Sequence, residues 1–126
     1  MTAPSQLETR ADGAAGNAEK GVCPYYHQAI ELVGKRWTGA ILEALMGEPL
    51  RFSEIAQAIP QMSDRLLSTR LRELEQVGIV ERQVLRGMPV RVQYALTPKG
   101  RGLEPAIAAL RNWGREWLNL PAGPIL

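Results

Sequence analysis

The chain has 126 residues, 45% of them hydrophobic, and a formal net charge of +2, which predicts one folded globular domain and excludes a mainly disordered chain. A single cysteine excludes an intramolecular disulfide framework. Because there is no secretory signal pattern and no apolar run near the ~20 residues of a membrane span, we expect a cytoplasmic protein without membrane association.

The folded domain is predicted over residues 22–126, after a flexible tail of residues 1–21 that has no apolar periodicity. Pro24 suits the first turn of a helix that ends at Gly34. The predicted buried positions of this helix are Ile30, Leu32 and Val33. A second helix follows and ends near Gly47, and its predicted apolar side chains are Trp37, Ile41, Leu42 and Leu45.

Two more helices follow, with the short linker PQM between them. In the stretch FSEIAQAIP, Ser53 is expected to accept hydrogen bonds from first-turn N–H groups, and Glu54 suits the positive end of the helix. Ser63 is expected to cap the next helix, which runs to about Gln76 before Gly78. This pair predicts a helix-turn-helix.

The second helix of this pair has two unlike faces. At 100° per residue, Leu67, Leu71 and Leu74 share a narrow arc that is typical of a core-facing stripe. The opposite face carries side chains that can bond base edges or phosphates, and an α-helix fits the major groove of DNA. The residues of this face are Arg65, Ser68, Thr69, Arg72 and Gln76.

An ordinary solvated helix is the alternative, with its arginines paired to Glu73 and Glu75. Arg70 lies at the border of the apolar face, where an ion pair or a phosphate contact suits it better than a base contact. The surrounding sequence favours DNA, because residues 51–101 hold nine Lys/Arg against five Asp/Glu. A localised balance of +4 attracts polyanions such as nucleic acid.

Beyond Gly78 the apolar period changes from helical spacing to alternation. The stretches IVERQVLR and VRVQYALT predict two antiparallel strands joined by a turn at GMP. A basic hairpin beside a helix-turn-helix is the winged-helix arrangement, and we expect Arg86 and Arg91 to hold phosphate or the minor groove. The predicted fold class is therefore mainly α with a small β-hairpin wing (α+β).

A last helix of about twenty residues is predicted to open at Thr97-Pro98, a cap followed by a first-turn proline. Its apolar stripe contains two tryptophans near the chain end, where a monomer this small has little left to cover them. We therefore expect a homodimer interface there, while the alternative is that both tryptophans fold back onto the first helix of their own chain. The predicted interface residues are Leu103, Ile107, Leu110, Trp113 and Trp117.

Four stretches together resemble the HxlR-type transcription regulators, winged-helix relatives of the MarR group. They are CP, VGKRWTGAILEAL, FSEIAQAIPQMSDRLLSTRLRELEQVGIVER and PVRVQYALTPKGRGLEPAIAALRNWG, spread from about Cys23 to Trp117. The resemblance implies a winged helix-turn-helix regulator, homodimeric through its first and last helices. It carries over onto Leu67, Arg70, Leu71, Leu74, Gly78, Tyr94, Leu96, Thr97, Gly100 and Trp113.

The sequence departs from the family pattern at two places. Lys35-Arg36 stands where the family usually has Gly-Lys before the tryptophan, and Gln93 stands where a glutamate usually precedes the tyrosine. The lost carboxylate could alter an ion pair with a recognition-helix arginine such as Arg70. Neither departure affects the predicted fold.

Cys23 and His27 are the only candidates for reactive chemistry outside the DNA-binding segment. Cys23 precedes a proline at a predicted helix start, where the helix dipole favours a thiolate. No second histidine, metal-ligand cluster or glycine-rich phosphate loop accompanies the pair, so we predict no catalytic residue, no metal site, no cofactor and no enzyme. Cys23 is either a packing residue or a redox sensor of oxidants or electrophiles, as the resemblance suggests.

A small-molecule effector is a further option, with Tyr25, Tyr26 and Trp37 lining a pocket between the dimerisation helices and the DNA-binding part. The leading hypothesis is a homodimeric, sequence-specific repressor on a pseudo-palindromic operator in double-stranded DNA. The competing class is a winged-helix module that binds another protein instead of DNA. The predicted DNA contacts are Ser63, Arg65, Ser68, Thr69, Arg70, Arg72, Gln76, Arg86 and Arg91.

Overall fold

A computed structural model describes residues 21–121, so all of the predicted tail except Gly21 lies outside the described residues, as do residues 122–126. The described part contains six helices and one two-stranded sheet. It divides into two compact units, the first ending at Lys35 and the second beginning at Arg36.

In the first unit, helix α1 spans Pro24–Val33, with Cys23 at its N-cap, as the sequence predicted. Gly34 ends the helix, and its N–H donates to the carbonyl of Ile30 at 2.7 Å. The expectation that Ile30, Leu32 and Val33 are buried is wrong. Ile30 is exposed and the other two are half-buried, because residues 21–121 cover the apolar side of the helix only in part.

In the second unit, helix α2 spans Thr38–Leu45 and contributes three core residues, Ile41, Leu42 and Leu45. The fourth predicted apolar position, Trp37, does not belong to the helix. It is the N-cap residue, with a left-handed φ of 72°, and it is half-buried beneath the guanidinium of Arg36 at 5.4 Å. The bend before α2 therefore uses a backbone conformation that is unusual for a bulky residue.

The helix-turn-helix consists of α3, Phe52–Ala58, and α4, Asp64–Gln76. Ser63 caps α4 as predicted, because its hydroxyl accepts the N–H of Leu66 at 3.1 Å. The predicted role of Ser53 is wrong, since α3 already begins after Arg51. There Glu54 accepts the backbone N–H of Arg51 at 2.8 Å, and this hydrogen bond lowers the pKa of the Glu54 carboxyl.

The wing is an antiparallel hairpin of β1, Val80–Leu85, and β2, Arg91–Leu96, with Val80 opposite Leu96 and Leu85 opposite Arg91. Gly78 has the positive φ, 79°, that turns the chain from α4 towards β1. The sequence did not indicate one further pairing. Leu50 forms a bridge to Tyr94 through backbone hydrogen bonds of 2.9 and 2.7 Å, which fastens the segment before α3 to the wing.

The predicted last helix is divided in two, α5 over Pro98–Arg101 and α6 over Glu104–Trp117. Thr97 caps α5 as predicted, accepting the N–H of Gly100 at 3.1 Å. A Cβ at Gly100 would collide with the carbonyl oxygen of Ile79, so only glycine permits this approach of α5 to the wing base. The helix ends at the C-cap Gly102, and α6 begins two residues later with Pro105 in its first turn, where a proline cannot continue the hydrogen bonds of α5.

The core of the second unit lies between α2, α3, α4 and the base of the wing. The fold class is as predicted, mainly helical with a two-stranded antiparallel hairpin. The buried hydrophobic residues are Ile41, Leu42, Leu45, Ile55, Ile59, Met62, Leu67, Leu71, Leu74, Ile79, Val80, Ala95 and Leu96.

Candidate nucleic-acid interface

Helix α4 buries one face and leaves the opposite one to solvent. Leu67, Leu71 and Leu74 are each only 1% exposed, as their spacing predicted. On the other side Arg65, Arg72 and Gln76 are exposed, and Ser68 and Thr69 are half-buried. The packing of the leucines therefore fixes which residues of α4 can reach a partner.

The guanidinium groups of Arg65 and Arg72 have no hydrogen bond or ion pair with any residue that the structure describes. Each arginine side chain offers five N–H donors in a planar fork that matches guanine O6/N7 or a phosphate. These two arginines therefore do not fit the alternative of a solvated surface helix whose arginines are paired with glutamates.

Arg70 differs from its neighbours. Its Nη1 lies 3.2 Å from a carboxylate oxygen of Glu73, and its Nε donates to the backbone carbonyl of Arg36 at 3.1 Å. The Arg70 side chain is only 17% exposed. The ion pair expected at the border of the apolar face is therefore present, and a DNA contact by Arg70 stays a prediction.

Along the wing, Arg82, Arg86 and Arg91 are exposed and unpaired with any of residues 21–121. Gln93, at one of the two departures from the family pattern, donates to Gln83 at 2.7 Å, and Gln83 donates to Glu81 at 2.7 Å. These amides give the carboxylate of Glu81 a partner on its own strand. With three arginines against this one glutamate, residues 80–96 carry net positive charge.

Sequence reasoning missed a second property of the wing, which is that its end is apolar as well as basic. Four large hydrophobic side chains there are exposed, and Met88 is fully accessible. The alternating pattern predicted the two strands but did not indicate that the hairpin extends beyond the core that could cover its apolar side chains. These residues are Val84, Leu85, Met88 and Val90.

The predicted interface helix α6 buries none of its residues. Leu103, which precedes it, and Ile107 are half-buried, whereas Leu110, Trp113 and Trp117 are 63%, 55% and 66% exposed. Within the second unit, Arg111 ties α6 to α2 through an ion pair of 2.9 Å with Glu43. The helix is thus held from one side, and its tryptophans stay uncovered.

Cys23 is exposed at the start of α1, and its backbone carbonyl accepts the N–H of His27 at 2.9 Å. No three His, Cys, Asp or Glu side chains among the described residues are grouped so that they could hold a metal ion. None of the helices in the described part is both long and apolar enough to cross a bilayer.

An exposed basic helix in the second position of a helix-turn-helix, next to a basic hairpin, is the defining site of winged helix-turn-helix DNA-binding proteins. Residues 32–121 match the family model described as HxlR-like helix-turn-helix. The chain belongs to this family, and the predicted class, a DNA-binding transcriptional regulator, is confirmed.

Two relatives from Bacillus subtilis show how far the similarity extends. The HTH-type transcriptional regulator YodB is 46% identical over 96 residues, which is 76% of this chain and 86% of YodB. The HTH-type transcriptional regulator YvaP is 42% identical over 98 residues, covering 78% of this chain and 91% of YvaP. Both relatives are matched over most of their length, so the similarity is not confined to one motif.

This chain is also similar to solved structures of two regulators, YodB and HypR, in reduced, oxidized or quinone-bound form. The reduced form of YodB from Bacillus subtilis superposes with a TM-score of 0.71 at 43% identity, covering 81% of this chain and all of that one. The quinone-bound form of YodB gives 0.67 at 44% identity, with coverage of 76% and 100%. The oxidized form of the redox regulator HypR gives 0.72 at 34% identity, with coverage of 78% and 100%.

Proposed function

We propose that this regulator is a homodimer that binds a pseudo-palindromic operator and represses transcription by occupying it. The observation that carries the proposal is the pair of exposed, unpaired arginines, Arg65 and Arg72, on the face of α4 opposite its buried leucines. In this position α4 enters the major groove while α3 stands behind it.

The two parts of the interface have different tasks. Arg65 and Arg72 bond base edges, assisted by three shorter side chains of α4 and by the capping serine. Arg86 and Arg91 of the wing hold phosphates or the minor groove, which adds affinity without base discrimination. The three shorter side chains are Ser68, Thr69 and Gln76, and the capping serine is Ser63.

Dimerisation is supported by the two terminal helices, since neither α1 nor α6 buries a residue. Aromatic side chains with more than half of their surface accessible, such as Trp113 and Trp117, are typical of interface centres. A two-fold dimer presents two copies of α4 to two half-sites, and this arrangement favours a palindromic operator.

Fluorescence anisotropy tests the proposal, with the DNA upstream of the protein's own gene compared with a scrambled duplex over a salt series. If four wing arginines of a dimer hold phosphates, log K should fall with log salt with a slope of at least about −3.6. We expect tighter binding of the upstream duplex. No binding to either duplex at low salt would contradict the proposal and would favour the protein-interaction module.

We further propose that Cys23 makes DNA binding sensitive to electrophiles and oxidants. The thiol is exposed at the N-terminus of α1, and the similar YodB is known in quinone-bound and diamide-treated forms. A quinone would add to the sulfur with formation of an S–C bond, and the thiol proton would pass to the ring, which becomes a hydroquinone. Diamide would take two electrons and two protons from Cys23 and the partner subunit's Cys23, leaving an S–S bond.

Substitution Cys23→Ser checks this regulation. Treatment of the wild-type protein with a quinone should weaken operator binding by about 5–150-fold, the range of ordinary allosteric coupling. The Ser variant should bind DNA normally and should not respond. An unchanged response in the variant would show that Cys23 is not the sensor and would direct attention to a non-covalent effector, for which Tyr25, Tyr26 and Trp37 stay candidates.

A further inference from the structure

The end of the wing combines two properties that a solvated loop does not need. Met88 is completely accessible, and Val84, Leu85 and Val90 are 55%, 41% and 62% exposed. Such side chains on the surface of a small protein favour association with a partner. We call residues 84–91 the wing tip.

The charge around the wing tip indicates what kind of partner fits. Residues 82–93 contain three arginines and no aspartate or glutamate. In the sequence Arg86 and Arg91 flank the apolar residues Met88 and Val90, and neither arginine is paired within the described chain. An apolar tip between unpaired guanidinium groups is complementary to an anionic surface that has an apolar interior.

The minor groove of DNA is such a surface. Its walls are phosphates, and the faces of its stacked bases become accessible when a step is opened. Proteins that bend DNA from the minor groove use arginines on its walls together with Met, Leu or Pro side chains that insert between base pairs. The wing tip carries both components on one two-stranded hairpin.

We propose that the wing tip inserts Met88 into a base step of the minor groove beside the major-groove site of α4, and that it thereby bends the operator. This inference rests on the proposed function, because it requires that α4 binds DNA. It adds a source of sequence preference outside the bases that α4 contacts. Pyrimidine–purine steps such as TA and CA open most easily, so they should be favoured beneath the wing.

The test begins with a duplex selected from a random-sequence library by the wild-type protein at low salt. Donor and acceptor dyes at the two duplex ends report bending as a rise in energy transfer on binding. Met88→Gln keeps the length of the side chain but makes it polar, and it should reduce this rise. It should also weaken binding about tenfold. A tenfold loss corresponds to roughly half of the free energy gained by burying a methionine side chain.

Two matched variants complete the test. Met88→Leu keeps an apolar side chain and should bend the duplex as the wild type does. Val77→Gln makes the same kind of change as Met88→Gln at an exposed apolar residue outside the wing, and it should also behave as the wild type. A stiff A-tract beneath the wing should weaken the wild type and leave Met88→Gln nearly unaffected.

The outcomes separate this inference from the proposed function. If a selected duplex binds and Arg65→Ala weakens it, but Met88→Gln bends and binds like the wild type, the insertion is overturned while the function stands. The apolar tip would then be assigned to a protein partner. If no duplex is enriched at low salt, both the proposed function and the insertion are overturned.

Discussion

If the proposed dimer forms, replacing Trp113 and Trp117 together by alanine is expected to convert it into a monomer and to weaken operator binding by about 10²–10⁴-fold. In a dimer, binding of one α4 raises the effective concentration of the other at the second half-site. A monomer loses that advantage without losing any DNA-contacting side chain. Light scattering would measure the mass, and anisotropy would measure the affinity on the same samples.

The control for this pair is thermal unfolding. Both rings are more than half exposed and belong to a helix that buries none of its residues, so the core of the second unit should be preserved in the variant. Val77→Ala, at another exposed apolar residue, should leave both mass and affinity unchanged. A wild-type protein that is monomeric at the concentrations where it binds DNA would contradict the proposed interface.

The substitutions Arg65→Ala and Arg86→Ala are expected to impair DNA binding in different ways. Loss of a bidentate base contact costs about 1–3 kcal/mol for the correct base, and a dimer loses two of them, so Arg65→Ala should lower the preference for operator over scrambled DNA by about 30-fold to 2 × 10⁴-fold. Loss of a phosphate contact should weaken both duplexes equally. In a dimer Arg86→Ala should also reduce the salt slope by about 2.

Anisotropy titrations on both duplexes at several salt concentrations measure these effects together. Arg72→Ala should resemble Arg65→Ala. Both arginines lie on α4, are exposed and have no partner among the described residues. Equal losses on both duplexes for Arg65→Ala and Arg86→Ala would contradict the division between base contacts and phosphate contacts.

Much of the fold could be predicted because its signals are local. The spacing of Leu67, Leu71 and Leu74 defines the buried face of α4, and Ser63 caps the helix through a hydrogen bond three residues along the chain. The hairpin follows from the change to alternation after Gly78. In each case the residues that decide the structure are close neighbours in the sequence.

The features that the sequence did not indicate depend on contacts between distant residues. The apolar stripe predicts one helix beyond Thr97, but the chain forms two, and the first of them packs Gly100 against the wing base at Ile79, far away in the sequence. The bridge between Leu50 and Tyr94 joins segments that are 44 positions apart. Apolar periodicity predicted the strands of the wing, but it carries no information on where the core stops, so it did not indicate the exposed apolar tip.

The candidate site shows the same division. Sequence spacing placed Arg65 and Arg72 on the outer face of α4 and Arg70 at its border, and the structure agrees with both placements. Arg70 has two hydrogen-bond partners, and the sequence indicated only one of them. Glu73 is three residues away on the same helix, whereas the carbonyl of Arg36 is 34 positions earlier in the chain.

The hydrogen bond from Arg70 to the Arg36 carbonyl ties α4 to the segment before α2, and it adds a second restraint to the buried leucines on the rotation of α4 about its own axis. A shift of the helix by one residue position would turn it by 100°, carry the guanidinium away from the Arg36 carbonyl and move the outer arginines out of the direction they now share. The buried leucines fix which face of α4 points to the core, although apolar contacts are not themselves directional. A hydrogen bond to a carbonyl is directional, so an arginine that is itself largely covered adds to the restraint on the angle at which Arg65 and Arg72 point outwards.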